Sequence, residues 1–227
     1  MHFILLAVGL LALIVGPGLW VKAVMARYSI PANRYPRNGG QVSRELLDGL
    51  GLHNVGTETT TAGDHYDPIA RTVRLSEANY NGRSLTAVTV AAHEVGHAIQ
   101  DARGFKPLRW RTRLVKWVGP IEKLGAGILM LSPLAAVATR TPVIGLLTLT
   151  GGFLTLASGA AVHLLTLPTE FDASFGRALP LLARRRLLRP GDERGARRLL
   201  TAAALTYVAG SLASLLNIAR WWAILRR

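Results

Sequence analysis

The chain has 227 residues, half of them hydrophobic, and 27 Lys and Arg against 13 Asp and Glu leave it with a net charge of +14. With no cysteine, disulfides and thiolate metal ligands are excluded. So basic a chain suits either nucleic acid or an anionic membrane face; no nucleic-acid reader motif accompanies the charge, so no nucleic-acid partner is expected.

The first charge-poor stretch, 3–21, is interrupted by Gly16-Pro17-Gly18. No basic segment precedes it, and Lys22 and Arg27 follow it, which suggests a retained anchor rather than a cleaved signal peptide. Residues 26–116 are the one segment large enough for a separate polar domain. Within it, Asn38-Gly39-Gly40 reads as a turn. Val42, Leu46, Leu47 and Leu50 recur at roughly helical spacing over 41–50, and Gly51 stops that helix. The β-branched stretch 55–61 reads as extended. Asp64-His65-Tyr66-Asp67-Pro68 reads as a loop or strand end, because the residue before proline avoids the helical region. The partly alternating stretch 69–75 predicts a second strand, whose edge could pair with an extended peptide. Asn81-Gly82-Arg83 then supplies a turn, and Ser84 an N-cap, for a helix over 85–99.

That helix carries His93-Glu94-Val95-Gly96-His97. Positions i and i+4 share a helix face, so both imidazoles can reach one metal ion. Glu94 stands beside the first of them, where it can take a proton from metal-bound water. The alternative is a buried helix whose histidines are simply hydrogen-bonded. Three ionisable groups in a stretch otherwise free of Lys and Arg need a partner, and a dication is one.

Beyond it, 104–118 is basic and amphipathic, with Trp110, Leu114, Trp117 and Val118 on one face; it suits either a membrane interface or an ordinary juxtamembrane stretch. Further charge-poor runs cover 124–139, 141–169 and 199–219. A membrane-spanning helix needs about 20 mostly apolar residues, which gives four spans. Thirteen Lys and Arg lie within 27–116 and eight within 177–198, against Arg140 alone between the second and third spans. The excess places both long basic segments in the cytoplasm. The arginines of 181–200 then read as a solvated connection touching anionic headgroups.

A catalytic zinc takes three protein ligands and leaves one position open for water. Among His53, His65, His163 and the acids, Glu170 is the best third ligand. It follows Leu167-Pro168-Thr169, where the third span would emerge, and an even number of spans after His97 returns the chain to the same side. Its alternative role is an interfacial acid offsetting nearby arginines. Ser174, at i+4 from Glu170, could hydrogen-bond a ligand. Arg177, at i+7, could stabilise an oxyanion or simply be a positive-inside arginine. His65 is either near the cleft or a surface-loop residue, and the loop is favoured. Asp172 is off Glu170's helical face and ranks lower.

The expected fold class is therefore a mainly α membrane protein of about four transmembrane helices with a small α+β, zincin-like cytoplasmic domain carrying the H-E-x-x-H helix. The division is 1–25 as a transmembrane anchor, 26–116 as the cytoplasmic domain, 117–169 as a transmembrane hairpin, 170–198 as a cytoplasmic segment with the third ligand, and 199–227 as a transmembrane helix and basic tail.

Asp64 to Pro68 (DHYDP), Val73 to Ser76 (VRLS), Ala91 to Gln100 (AAHEVGHAIQ), Leu167 to Ser174 (LPTEFDAS) and Leu205 to Gly210 (LTYVAG) together make the chain resemble the YugP-like neutral zinc metallopeptidases, over nearly its whole length. The resemblance implies a zinc-dependent membrane peptidase with His93 and His97 as ligands and Glu94 as catalytic acid and base. The chain is also similar to the HtpX-like and CaaX-processing membrane proteases, in which an aspartate stands where Ser174 stands here.

The first reading is a membrane-anchored zinc endopeptidase with one Zn2+ per chain, facing the cytoplasm and acting on peptides or proteins, membrane proteins among them. A second is an intramembrane metalloprotease; Leu47-Asp48-Gly49 echoes the L-D-G aspartate of that group but lies upstream of the histidines, where that group has it downstream. A third is a membrane protein that binds zinc without catalysis.

Overall fold

The computed structural model describes residues 2–141, 143–147, 150–151, 162, 166–206 and 208–209. The chain falls into two compact units, one drawn from Met1–Gly18, Trp110–Thr166 and Tyr207–Arg227, the other from Leu19–Arg109 and Leu167–Thr206. Helix α1 covers His2–Tyr28 and α5 covers Lys106–Thr139. All the residues of interest for chemistry lie in the second unit.

In that unit the chain forms α2 (Gly39–Asp48), β1 (Gly56–Thr60), β2 (His65–Asp67), β3 (Thr72–Ser76), α3 (Glu77–Tyr80) and α4 (Leu85–Ala102). Helix α6 (166–184) and a last helix over 193–206 complete it. Helix α6 is α-helical at its ends and π-helical over Asp172–Ala178. The predicted turn at Asn38 is instead a helix start: its side chain accepts from Gln41 N at 2.8 Å while Gln41 Oε1 accepts from Asn38 N at 3.0 Å, a reciprocal capping box, so Gly39 and Gly40 open α2. Ser84 caps α4 as expected, its hydroxyl accepting from Ala87 N at 3.1 Å.

The sheet has strand order β1-β3-β2, with β1 parallel and β2 antiparallel to β3. Val73 and Leu75 of β3 point inward while Thr72, Arg74 and Ser76 are half-exposed, the period of two that a one-sided sheet demands. Because β3 is the middle strand, the expected peptide-pairing edge at 69–75 is closed on both sides; the outer edges belong to β1 and β2.

The D-H-Y-D-P stretch is structural. Asp64 accepts from Ser76 N at 2.7 Å, Ser76 Oγ at 3.0 Å and Asn79 Nδ2 at 2.7 Å, pinning the β3–α3 junction. Tyr66 donates to Asp101 at 2.9 Å and ties β2 to the end of α4. Asp67 accepts from Ile69 N and Ala70 N, closing the turn into β3.

Helix α4 is the centre of the core: all 16 residues from Leu85 to Gln100 are buried. A helix enclosed on every side has no use for a charged face, which is why it is free of Lys and Arg. Around it pack Val42, Leu46 and Leu47 of α2, Val73 and Leu75 of β3, Leu182 of α6, and Leu199 and Leu200 of the last helix.

The expectation of a mainly α protein with about four transmembrane helices is overturned. Among the described residues no helix is long and apolar enough to cross a membrane, and the architecture is a small mixed sheet with several helices. One physical reason is that apolar residues taken for spans serve a protein core: Val21 from the first run, Val24 from the expected 1–25 anchor, and Leu199, Leu200 and Ala202 from the fourth run, belong to the cluster around α4. The second run, 124–139, is the end of α5, whose earlier turns carry Lys106, Arg109, Arg111, Arg113 and Lys116. Most of 141–169, His163 included, and 210–219 lie outside the described residues.

Arg34 and Tyr35 tie the segment after α1 to the start of the 193–206 helix. Arg34 donates to both oxygens of Asp192 at 2.7 and 2.6 Å, and the Tyr35 hydroxyl donates to Asp192 Oδ2 at 2.5 Å. The Arg34 hydrogen bond holds the Asp192 carboxyl below its ordinary range against the opposing effect of burial. Burial and the bond to Asp192 push the Tyr35 phenol up to about 12. A depressed native pKa stabilises fully above the unfolded value of about 3.9 and ceases to do so as pH falls through the native one. Asp192→Asn is therefore expected to lower stability at pH 7 by about 2 kcal/mol. Urea midpoints of variant and wild type should converge below about pH 4; a gap that persists unchanged there refutes the assignment.

Candidate metal centre

His93 and His97 lie one turn apart on α4, with ring centroids 4.8 Å apart and planes at 83°. Glu170 enters from α6. Its Oε2 is 3.3 Å from Nε2 of His93 and 3.3 Å from Nε2 of His97. All three side chains are buried, and their candidate ligand atoms lie within 4.8 Å of one another. This is the one three-donor group of its kind among the described residues.

The two carboxylate-to-imidazole separations fit a tetrahedral zinc. Donors about 2.0–2.1 Å from such an ion sit about 3.3–3.4 Å from one another, which is the separation found here between the carboxylate oxygen and both ring nitrogens.

The tautomers are fixed by the partners of the other ring nitrogens. Ser174 Oγ lies 3.0 Å from Nδ1 of His93 and donates its only proton to Leu200 O at 3.1 Å. It must therefore accept from His93 Nδ1–H, leaving Nε2 as the lone pair. Gln100 Nε2 donates to Thr169 O and Asp172 Oδ2, both at 2.8 Å, so its Oε1, 2.9 Å from Nδ1 of His97, is the acceptor there. His97 likewise presents Nε2. Neutral imidazoles oriented in this way are what a metal site requires.

Burial by itself would raise the Glu170 carboxyl. In the absence of metal the charge interaction with His97, and hydrogen bonding with His93 and His97, outweigh it and hold the group well below the usual carboxylate range; a bound dication would take over that role once both rings present Nε2 as a lone pair. The carboxylate thus remains anionic at any ordinary pH, as a ligand must.

The close approach of α6 to α4 depends on one residue. A Cβ built on Gly96 would lie 2.7 Å from the carbonyl oxygen of Ala173, a backbone atom that no rotamer change can move. The fourth position of H-E-V-G-H is thus where the Glu170 helix touches the histidine helix. Gly96→Ala is expected to cost about 1–3 kcal/mol of stability and to weaken metal binding about tenfold or more. Calorimetric zinc titration beside thermal unfolding checks both, and an unchanged affinity contradicts the packing argument.

The other sequence-derived candidates fall as follows. Glu94 is buried on α4, next in sequence to His93. Ser174 meets His93, as above. Arg177 donates through Nε to Asp172 at 2.7 Å and lies over the Phe105 ring, engagements that direct it to its neighbours. His65 opens β2 with its ring 2.8 Å from Gly63 O, and does not join the donor group. His53 pairs with Asp48 at 3.1 Å on the surface. Two residues given no role, or a lower one, belong to the surroundings of the site: Gln100 and Asp172. Gln100 falls at i+3 from His97, which is the signal that could have marked it.

Residues 3–226 match the family described as "Putative neutral zinc metallopeptidase". A relative from Bacillus subtilis (strain 168), "Putative membrane protease YugP", is 37% identical over 224 residues, covering 97% of this chain and 95% of that protein. No solved structure matches. With a buried His-His-Glu group in place and a match over nearly its full length, the chain belongs to the neutral zinc metallopeptidase family.

Proposed function

We propose that the protein is a zinc-dependent endopeptidase using one zinc per chain, with His93, His97 and Glu170 as ligands and Glu94 as general base and acid. The observation that carries this is the meeting of Glu170 with both Nε2 atoms at 3.3 Å. A zinc ion held by these donors supplies Lewis acidity and brings the pKa of water down toward about 7. Glu94 takes the proton from the attacking water and passes it to the leaving amine. Ser174 and Gln100 keep the two imidazoles turned with Nε2 inward. Burial of these side chains keeps bulk water away and so strengthens each charge interaction.

We place the activity at a membrane face, on proteins or peptides presented there, membrane proteins among them. The name of the Bacillus relative supports this, as does the surface of α1, where Leu19 and Trp20 are exposed. Beside Trp20 a groove of about 400 Å³ is lined by Ala23, Val24, Arg27, Tyr28 and Arg198. Apolar and cationic groups side by side suit the anionic cytoplasmic leaflet, the face proposed.

The test is cleavage of an unstructured protein such as casein by full-length protein stripped of metal and then reloaded. Activity that is abolished by chelation and restored by one equivalent of zinc is expected. A fully loaded protein that cleaves neither casein nor membrane-protein substrates overturns the reading.

A further inference from the structure

The ligands come from two helices far apart in sequence, and they must keep ångström-level register to hold an ion. Gln100 is the side chain that touches both sets. It is fully buried. Its Oε1 faces Nδ1 of His97 on α4 at 2.9 Å. Its amide nitrogen donates to two points on α6 that bracket Glu170: Thr169 O and Asp172 Oδ2, each at 2.8 Å. Asp172 is in turn held by Nε of Arg177 at 2.7 Å. Both N–H groups and the carbonyl of the amide are thus committed, and no other residue type supplies one acceptor and two donors in this shape.

We propose that Gln100 is a positioning residue that sets metal affinity by clasping the two ligand-bearing helices together while fixing His97 in the tautomer that presents Nε2. Asp172 and Arg177 complete the clasp by anchoring one of its donors. His93 does not depend on it, since its own tautomer is set by Ser174 and Leu200. The proposal rests on the ligand set given above and adds what holds that set together. Gln100 touches no reacting atom, so its influence is exerted through His97 and the placement of Glu170.

The rival account is that Gln100 is only a satisfied polar group in the core. Leu47→Ala separates the two, because Leu47 is equally buried in the core but belongs to α2. Zinc affinity of full-length protein is measured by competition with a chromogenic chelator, and the visible spectrum of the Co2+-loaded protein reports ligand geometry. Gln100→Met keeps the volume and removes all three hydrogen bonds. It is expected to weaken zinc binding about 10–100-fold and to change the cobalt spectrum, whereas Leu47→Ala lowers thermal stability and leaves both unchanged. Gln100→Asn keeps a neutral amide but is one methylene too short to reach His97 Nδ1 and the α6 acceptors together, so its affinity should fall between those of wild type and Gln100→Met; this variant serves if the methionine protein does not fold. Wild-type affinity and spectrum in whichever Gln100 variant folds overturn the clasp and leave the ligand set standing. Failure of the wild type itself to bind zinc or cobalt overturns the ligand set and the clasp together.

Discussion

Glu94→Gln is expected to leave the protein folded and zinc-loaded while lowering peptide turnover about 10²–10⁴-fold. The substitution keeps the size of a buried side chain at the centre of α4 and removes only its capacity to take up and return a proton. The three proposed ligands are untouched, because Glu94 is not in the His93, His97, Glu170 group. Steady-state kinetics with zinc analysis of the same sample decides the matter. Turnover equal to wild type removes Glu94 from the chemistry, and loss of zinc together with activity makes it a ligand instead of a base. A protein that only stores zinc would be indifferent to the change.

The second large effect is expected at Glu170. Glu170→Ala removes the third donor and leaves a cavity beside two buried imidazoles, a large-to-small change that costs about 2–5 kcal/mol. Glu170→Gln keeps the volume and isolates the metal term. A ligand that binds only the native state stabilises it by about 2.7 kcal/mol at one hundred times its dissociation constant. Wild type should therefore melt at higher temperature as zinc is added, while Glu170→Gln should show no such rise in the same range. A zinc-dependent rise preserved in Glu170→Gln would mean that the third ligand lies elsewhere.

Local order was largely legible in the chain. The histidine helix, its Ser84 cap and the strand near 72–76 all follow from patterns within a few residues. Asn38 was misread because a capping box depends on whether the side chain of Gln41 turns back, which sequence spacing permits but does not dictate. Glu170 could be named because few donor types remained. Ser174 could be named at i+4, although the helix there is π-helical. Gln100 carries no charge and no motif of its own. Its role exists only once Thr169 and Asp172 are brought beside His97, which is a property of packing between helices. The misjudged spans share a different cause. A fully enclosed helix and its apolar neighbours match a bilayer in composition, and hydropathy cannot say whether lipid or protein covers them.

The depth at which the donor atoms sit has a kinetic consequence. His93, His97 and Glu170 expose only 4%, 4% and 1% of their surface, and the two helices that carry them approach closely at Gly96 and Ala173. An ion seated there is expected to leave only when the two helices move apart, since all three of its protein donors are buried between them. Its release is then paced by the breathing of the protein, so raising the scavenger concentration speeds removal only up to a plateau, and that plateau measures how often the two helices separate.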